Sequence, residues 1–356
     1  FFFFFFFFFF FFFFFLKATR IRRCRATHVE AGETMQRIKM KHLRVLVGAL
    51  LAIALGACTS PSQGDAAVAA ERAKPIHRTD RFVAVAATRN RLVAGTLGGV
   101  LLASQDRGKS WARTELPQPA SIIGISACPD GTLAALDFNR KIWVDAGDRW
   151  ESRPIDTKMD PVAMTCDGAG RLWVVGSRTG IVSSTDQGKT WTSTTLGKDA
   201  ILSGVHFFDP QHGIAVGEFG SVAVTSDAGA HWALSASLPE DFYPYAMYFR
   251  DRDHGWVSGV AAALFGTVDG GQTWVAVDNP AKVPIYALNG AGDEAYGVGA
   301  DGRVIRWLAG TWAVVDTHDA GAGSGEWTAL TLLPAGGVFV AGGDNLHRLS
   351  PNHQAD

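Results

Sequence analysis

The chain has 356 residues, 47% hydrophobic and 19% charged, with 40 Gly, 11 Trp and 4 Cys. Nine of its 33 Lys/Arg and two of its 34 Asp/Glu lie before Cys58, so the formal charge of −1 conceals a remainder with 24 basic and 32 acidic residues. That balance argues against a nucleic-acid partner, and the composition excludes a collagen, a coiled coil, a disulfide-dense miniprotein and a polytopic membrane protein.

Residues 1–15 are one unbroken run of Phe, and residues 17–34 are basic and patternless. Segment 1–34 is expected to be translated from upstream of the true start, at Met35 or Met40, and to stand outside the fold. Residues 35–57 read as an export signal. Arg37, Lys39, Lys41 and Arg44 form a positive region, Val45 to Leu55 an apolar one, and small residues follow. Leu55-Gly56-Ala57-Cys58 resembles the bacterial lipobox at all four positions. The resemblance implies that Cys58 is lipidated through its thiol and becomes the first residue of the mature protein. Several acyl chains give stable anchoring. Thr59, in place of an Asp, points to an outer-membrane lipoprotein facing the periplasm. Residues 58–73, rich in Ser, Ala, Gly and Pro, read as a flexible tether.

From residue 74 the sequence repeats. Asp106-Arg107-Gly108-Lys109-Ser110-Trp111, Asp186-Gln187-Gly188-Lys189-Thr190-Trp191, Asp227-Ala228-Gly229-Ala230-His231-Trp232 and Asp269-Gly270-Gly271-Gln272-Thr273-Trp274 share Asp, Gly and Trp at fixed offsets. Ser104, Ser184 and Ser226 precede the first three. The Trp spacings are 80, 41 and 42; Trp150 fills the long gap at 39 and 41, and Trp312 follows at 38. Short apolar, partly β-branched runs separated by Asp/Gly/Asn turns lie between, from Phe82-Val83-Ala84-Val85 to Val338-Phe339-Val340-Ala341. These predict strands, and a period near 40 made of about four strands predicts propeller blades. The expected fold is all-β, a seven-bladed β-propeller over residues 74–352, with a short tail at 353–356. A miscounted degenerate unit would make six or eight blades. Each unit reads as strands A (inner), B, C and D, and the seventh ends before its D. Residues 74–80 are expected to supply that strand, so that an N-terminal strand closes the last blade.

The motif resembles the Asp-box, or BNR, repeat. Its chemistry is local: the Asp accepts backbone N–H bonds, the Gly takes a left-handed conformation, a hydroxyl adds a further bond, and the Trp packs between sheets. Asp106, Asp186, Asp227 and Asp269, with Trp111, Trp191, Trp232 and Trp274, are therefore read as structural and not catalytic. One Asp per loop supplies too few oxygens for calcium, and no metal or cofactor is expected. Asp-box units behind an export signal resemble the photosystem II stability/assembly factor family and its non-photosynthetic bacterial relatives, over nearly the whole mature chain. Gly176-Ser177-Arg178-Thr179-Gly180 and Gly217-Glu218-Phe219-Gly220 also suit that group. The resemblance implies a non-enzymatic protein that binds or stabilises a membrane-protein complex or other envelope protein, with an RND-type export system as one such partner. Photosynthetic members carry an arginine cluster on one face. Here the candidates are Arg140, Arg178, Arg250, Arg252 and Arg303, on an acidic chain.

The alternative is a secreted sialidase-like glycoside hydrolase, which also carries Asp-boxes. It needs three Arg, a Tyr–Glu pair and an acid Asp. Of Tyr243, Tyr245, Tyr248, Tyr286 and Tyr296, three lie in inner-strand patterns and read as core, and no Phe/Tyr-Arg-Ile-Pro segment occurs near the first blade. Binding is the preferred reading. A–B and Asp-box turns share one face; B–C and D–A connections share the other, where the partner is expected. Its candidates are Phe138, Arg140, Arg178, Glu218, Phe219, Asp301 and Asp344 from B–C turns, and Asp241, Phe242, Tyr243, Lys282, Glu326 and Trp327 from D–A connections. A partner-binding rim of Arg140, Arg178, Glu218, Phe219, Phe242, Tyr243, Asp301 and Trp327 follows. Cys128 and Cys166 end adjacent inner strands, where a disulfide and two buried thiols are both open. The histidines lack ligand spacing.

Overall fold

A computed structural model describes residues 63–349 apart from 148, 236–237, 318–324 and 335. The expectations for segment 1–34, the export signal, Cys58 and the tail concern residues outside those described. Gln63–Arg72, within the stretch read as a tether, is an α-helix.

Seven antiparallel sheets follow in chain order, six of four strands and one of three among the described residues. The first is β1 (Phe82–Ala87), β2 (Leu92–Thr96), β3 (Val100–Ser104) and β4 (Ala112–Glu115), paired in sequence order. The inner strands of the next six are Ile122–Ala127, Pro161–Cys166, Leu202–Phe207, Pro244–Phe249, Ile285–Ala291 and Ala329–Leu332. Each inner strand neighbours the inner strands before and after it, and the first neighbours the last, which closes a seven-bladed propeller. The B strands Leu92–Thr96, Leu172–Gly176, Gly213–Gly217 and Val338–Gly342 are buried at every position. Blades cover both of their faces, so these strands read as apolar runs without alternation. Outer strands such as Ala112–Glu115 are mostly exposed. The core lies between blades. Trp173, Val175 and Ile181 of blade 3, for example, pack on Leu202, Val205, Phe207 and Ala215 of blade 4. Each buried Val, Leu, Ile or Phe among them stabilises the ring by about 1.5–3 kcal/mol relative to exposure.

Six inner strands carry a β-bulge at the same place, next to their first residue. The unpaired residues are Val83, Ile123, Val162, Ser203, Tyr245 and Tyr286. A bulge re-aims its side chain out of the ladder, so these positions form a circle at the B–C and D–A end.

Closure differs from the expectation. Residues 74–80 form turns, not a strand, and the last sheet has three strands among the described residues. Pro75 lacks a ladder donor, and Asp80 caps the turn by accepting the His77 N–H at 2.8 Å. Asp80 is also held by both Arg113 nitrogens, at 2.8 and 3.1 Å. The seam is instead joined by the Phe82 N–H donating to Gly343 O (2.8 Å) and by Thr328 Oγ1 donating to Phe82 O (2.9 Å). Phe82, Val85, Phe339 and Ala341 pack beneath these bonds.

Cys128 and Cys166 form a disulfide between blades 2 and 3, with Cα atoms 5.2 Å apart.

Candidate interaction face

The Asp-box carboxylates are spent inside their own hairpins. Asp186 accepts the Lys189 and Thr190 N–H groups at 3.0 and 2.9 Å, and the Ser184 hydroxyl at 2.7 Å. Ser184 Oγ in turn accepts the Gly188 N–H at 2.7 Å. Asp106, Asp227 and Asp269 repeat the pattern with Ser104, Thr225 and Thr267. In blade 4 the hydroxyl is therefore Thr225, not Ser226. The bonds hold the Asp106 and Asp186 carboxyls well below the usual carboxylate range, chiefly through Ser110 and Thr190. Those of Asp227 and Asp269 fall to about 2, chiefly through His231 and Thr273. Groups so occupied are poor proton donors and poor metal ligands.

Three of the four Asp-box glycines have a second role that sequence spacing does not reveal. A Cβ on Gly108 would stand 2.5 Å from Phe339, one on Gly229 2.0 Å from Trp173, and one on Gly271 2.6 Å from Ile214. Each contact is with the B strand of the preceding blade, so the turn seals the junction between blades. Arg91 and Arg171, which the sequence reading passed over, also brace junctions between blades. Arg171 donates to Ala228 O (2.9 Å) and Pro210 O (2.6 Å) of the next blade while pairing with Asp167 at 2.6 Å. Arg91 reaches Asp145 in the degenerate box of blade 2.

At the other end, the B–C turns of blades 3, 4, 5 and 6 have two successive left-handed residues: Arg178-Thr179, Phe219-Gly220, Ala261-Ala262 and Asp301-Gly302. This geometry suits the twist of a tight hairpin and turns the first side chain outward. Arg178, Phe219 and Asp301 are accordingly exposed, as is Arg140 in blade 2, 4.0 Å from Asp160. A bulky residue at positive φ is uncommon, and Phe219 holds φ 56° with 45% of its surface exposed. Tyr243 lies edge-on to it at 5.7 Å. Glu218 is half-buried and accepts the Ile201 N–H at 2.9 Å, which fixes the adjoining connection.

Two expected rim residues are core. Phe242 is 3% exposed and packs on Leu238, Val257 and Phe265. Trp327 is 1% exposed among Val298, Val304 and Val340, with its backbone N–H donating to Gly299 O at 3.0 Å. The reason at Phe242 is a strand-like alternation that starts before the strand: Phe242 in, Tyr243 out, Pro244 in, Tyr245 out. Tyr245 and Tyr286, read as core, are bulge residues of neighbouring blades at this same end. Their rings stand 5.6 Å apart, and Tyr245 is 42% exposed. The face thus brings together Phe219, Tyr243, Tyr245 and Tyr286, with Asp301 and Glu326 close enough to Tyr286 to help burial push its hydroxyl up.

One Tyr–Glu hydrogen bond occurs among the described residues, from Tyr296 Oη to Glu294 at 3.0 Å. It lies at the A–B end of blade 6, where Arg306 alone pairs with Glu294. Burial pushes the Tyr296 hydroxyl up to about 12, against a nucleophilic role.

Residues 193–284, from the outer strand of blade 3 through blade 5, match the family described as photosynthesis system II assembly factor YCF48. The photosystem II assembly lipoprotein Ycf48 of Synechococcus sp. (strain CC9902) is 32% identical over 175 residues, 48% of this chain and 48% of the relative. The chain thus matches about half the length of that curated relative. Among solved structures, YCF48 bound to D1 peptide has a TM-score of 0.63 at 15% identity, covering 78% of this chain and 95% of that one. A streptogramin B lyase has 0.64 at 14%, covering 78% and 94%. At these identities the structural likenesses show the fold alone. The sequence likeness bears out the resemblance of this Asp-box propeller to the photosystem II assembly factors.

Proposed function

We propose that this chain is a non-enzymatic, lipid-anchored propeller that binds a membrane-protein complex and assists its assembly, using the end formed by the B–C and D–A connections. The observation that carries the reading is a coincidence of place. The segment matching the assembly-factor family, 193–284, holds Phe219, Tyr243 and Tyr245, three of the four exposed rings of that end among the described residues; the fourth is Phe138, in the B–C turn of blade 2. A relative named as an assembly lipoprotein and a propeller solved with a D1 peptide support a polypeptide as the bound species. The Asp-box carboxylates are consumed by their turns, which leaves recognition to the opposite rim. Exposed aromatic rings amid charged residues suit protein recognition. Cys58 supplies the anchor, and Thr59 favours the outer membrane with the propeller facing the periplasm.

The test is capture of partners from detergent-solubilised envelopes with the full chain and with a Phe219→Ala/Tyr243→Ala variant. A membrane protein recovered by the first and lost with the second is the expected result, and an RND-type export system among the recovered proteins would identify the partner class. Equal recovery by both, or glycosidase turnover by the purified chain, would overturn the reading. Palmitate labelling that is lost in Cys58→Ala tests the anchor.

A further inference from the structure

Charge on the recognition face is divided. The arc of blades 2 and 3 is mixed, with Arg140, Lys158 and Arg178 beside exposed Asp156 and Asp160. From the connection ahead of blade 5 to the start of blade 7, the exposed carboxylates are Glu240, Asp241, Asp301 and Glu326, without an ion-pair partner among the described residues. Nearby Lys282 is taken up by Asp278, which leaves Arg303 as the sector's other base. Apart from Phe138 in blade 2, the exposed rings lie in or against this sector: Phe219 against Tyr243 at 5.7 Å, and Tyr245 against Tyr286 at 5.6 Å. Phe219, Tyr243 and Tyr245 are 45%, 37% and 42% exposed. A soluble chain rarely leaves contiguous rings uncovered unless something docks there. The negative faces of tyrosine rings attract cations, and a ring flanked by carboxylates does so more strongly.

We infer that this sector docks a cationic, extended polypeptide segment of the partner. Its Lys or Arg side chains lie over Tyr245 and Tyr286 between Asp301 and Glu326, and its apolar side chains lie on Phe219 and Tyr243. The inference rests on the reading of this end as the docking end and gives that reading a charge sign. The chain's acidic excess after Cys58, 32 Asp/Glu against 24 Lys/Arg, adds attraction for such a segment at long range.

The test uses the full chain and two labelled peptides of equal length and apolar content, one Lys-rich and one Glu-rich, followed by fluorescence anisotropy. The Lys-rich peptide is expected to bind at least about tenfold more tightly, and to weaken as salt rises. Asp301→Asn/Glu326→Gln is expected to weaken it about tenfold and to flatten the salt dependence. Asn tolerates the left-handed turn, so this variant keeps the fold. Tyr245→Ala is expected to weaken binding at all salt concentrations, and Lys189→Ala, in an Asp-box turn at the other end, to leave it unchanged. Preference for the Glu-rich peptide, equal binding of both, or indifference to Asp301→Asn/Glu326→Gln would overturn the inference. Envelope capture distinguishes the two failures. A partner still captured through Phe219 and Tyr243 while the Lys-rich peptide fails leaves the docking end standing and removes only its charge sign.

Discussion

Gly229→Ala isolates the seal between blades 3 and 4. At Gly229 φ is +80°, and an added Cβ would stand 2.0, 2.7 and 3.0 Å from three ring atoms of Trp173. The ring has no room to retreat. Trp173 is 2% exposed, stacks on Phe207 at 4.5 Å, and donates from Nε1 to Asp167 at 2.8 Å. A left-handed Ala costs about 1–2 kcal/mol, and overpacking adds about 1–3 kcal/mol. The expected loss is therefore about 2–5 kcal/mol. Gly170 is the control, because its φ is +79° and nothing lies within 4 Å of its added Cβ. Gly170→Ala should lose only the backbone share, about 1–2 kcal/mol. Urea titrations followed by tryptophan fluorescence give both values. Equal midpoint shifts would refute the seal and reduce the Asp-box glycine to a backbone requirement.

Other expectations follow from the same structure. Cys128→Ser/Cys166→Ser opens a cross-link over 38 residues and should cost about 4 kcal/mol on the chain-entropy account; the urea midpoint of the oxidised protein against this variant checks it. The Asp227 and Asp269 carboxyls are depressed from 3.8 to about 2, so their contribution is complete above pH 3.8 and is lost as pH falls toward 2. Acid unfolding should therefore steepen in that window, and Asp227→Asn/Asp269→Asn should flatten it. Burial lowers His206 from 6.5 to about 4, so the folded state keeps it neutral where the unfolded chain protonates it. Its effect is a loss of stability as pH falls from 6.5 to 4, about 3 kcal/mol in full, which His206→Phe should abolish in pH-dependent melting.

The sequence displayed the ring because its repeat is made of residues with fixed local duties. Asp, Gly and Trp recur at set offsets because blades 1, 3, 4 and 5 share one turn, whose glycine in three of them also presses on the blade before. The seventh unit showed the limit of this reasoning. A missing outer strand was visible, but Pro75 and the turn held by Asp80 and Arg113 depend on contacts remote in the chain. The proposed docking face was legible only in part. Phe219 and Tyr243 are exposed, whereas Phe242 and Trp327 are buried by the alternation of an extended backbone that no composition reveals. Tyr245 and Tyr286 were hidden for a related reason. Apolar inner-strand residues ordinarily face a neighbouring sheet, and only the bulge redirects these two.

The joint between the first and last blades has a mechanical meaning. Every other junction is crossed by the polypeptide itself, and the one between blades 2 and 3 is also stapled by Cys128–Cys166. The remaining one depends on the Phe82–Gly343 and Thr328–Phe82 bonds and the apolar residues beneath them. Thermal breathing or tension on the chain ends therefore parts the circle there first. Amide protons of Val338–Gly342 are therefore expected to exchange with solvent before those of Leu172–Gly176, the molecule loosening as a clasp does, from one place around to the stapled side.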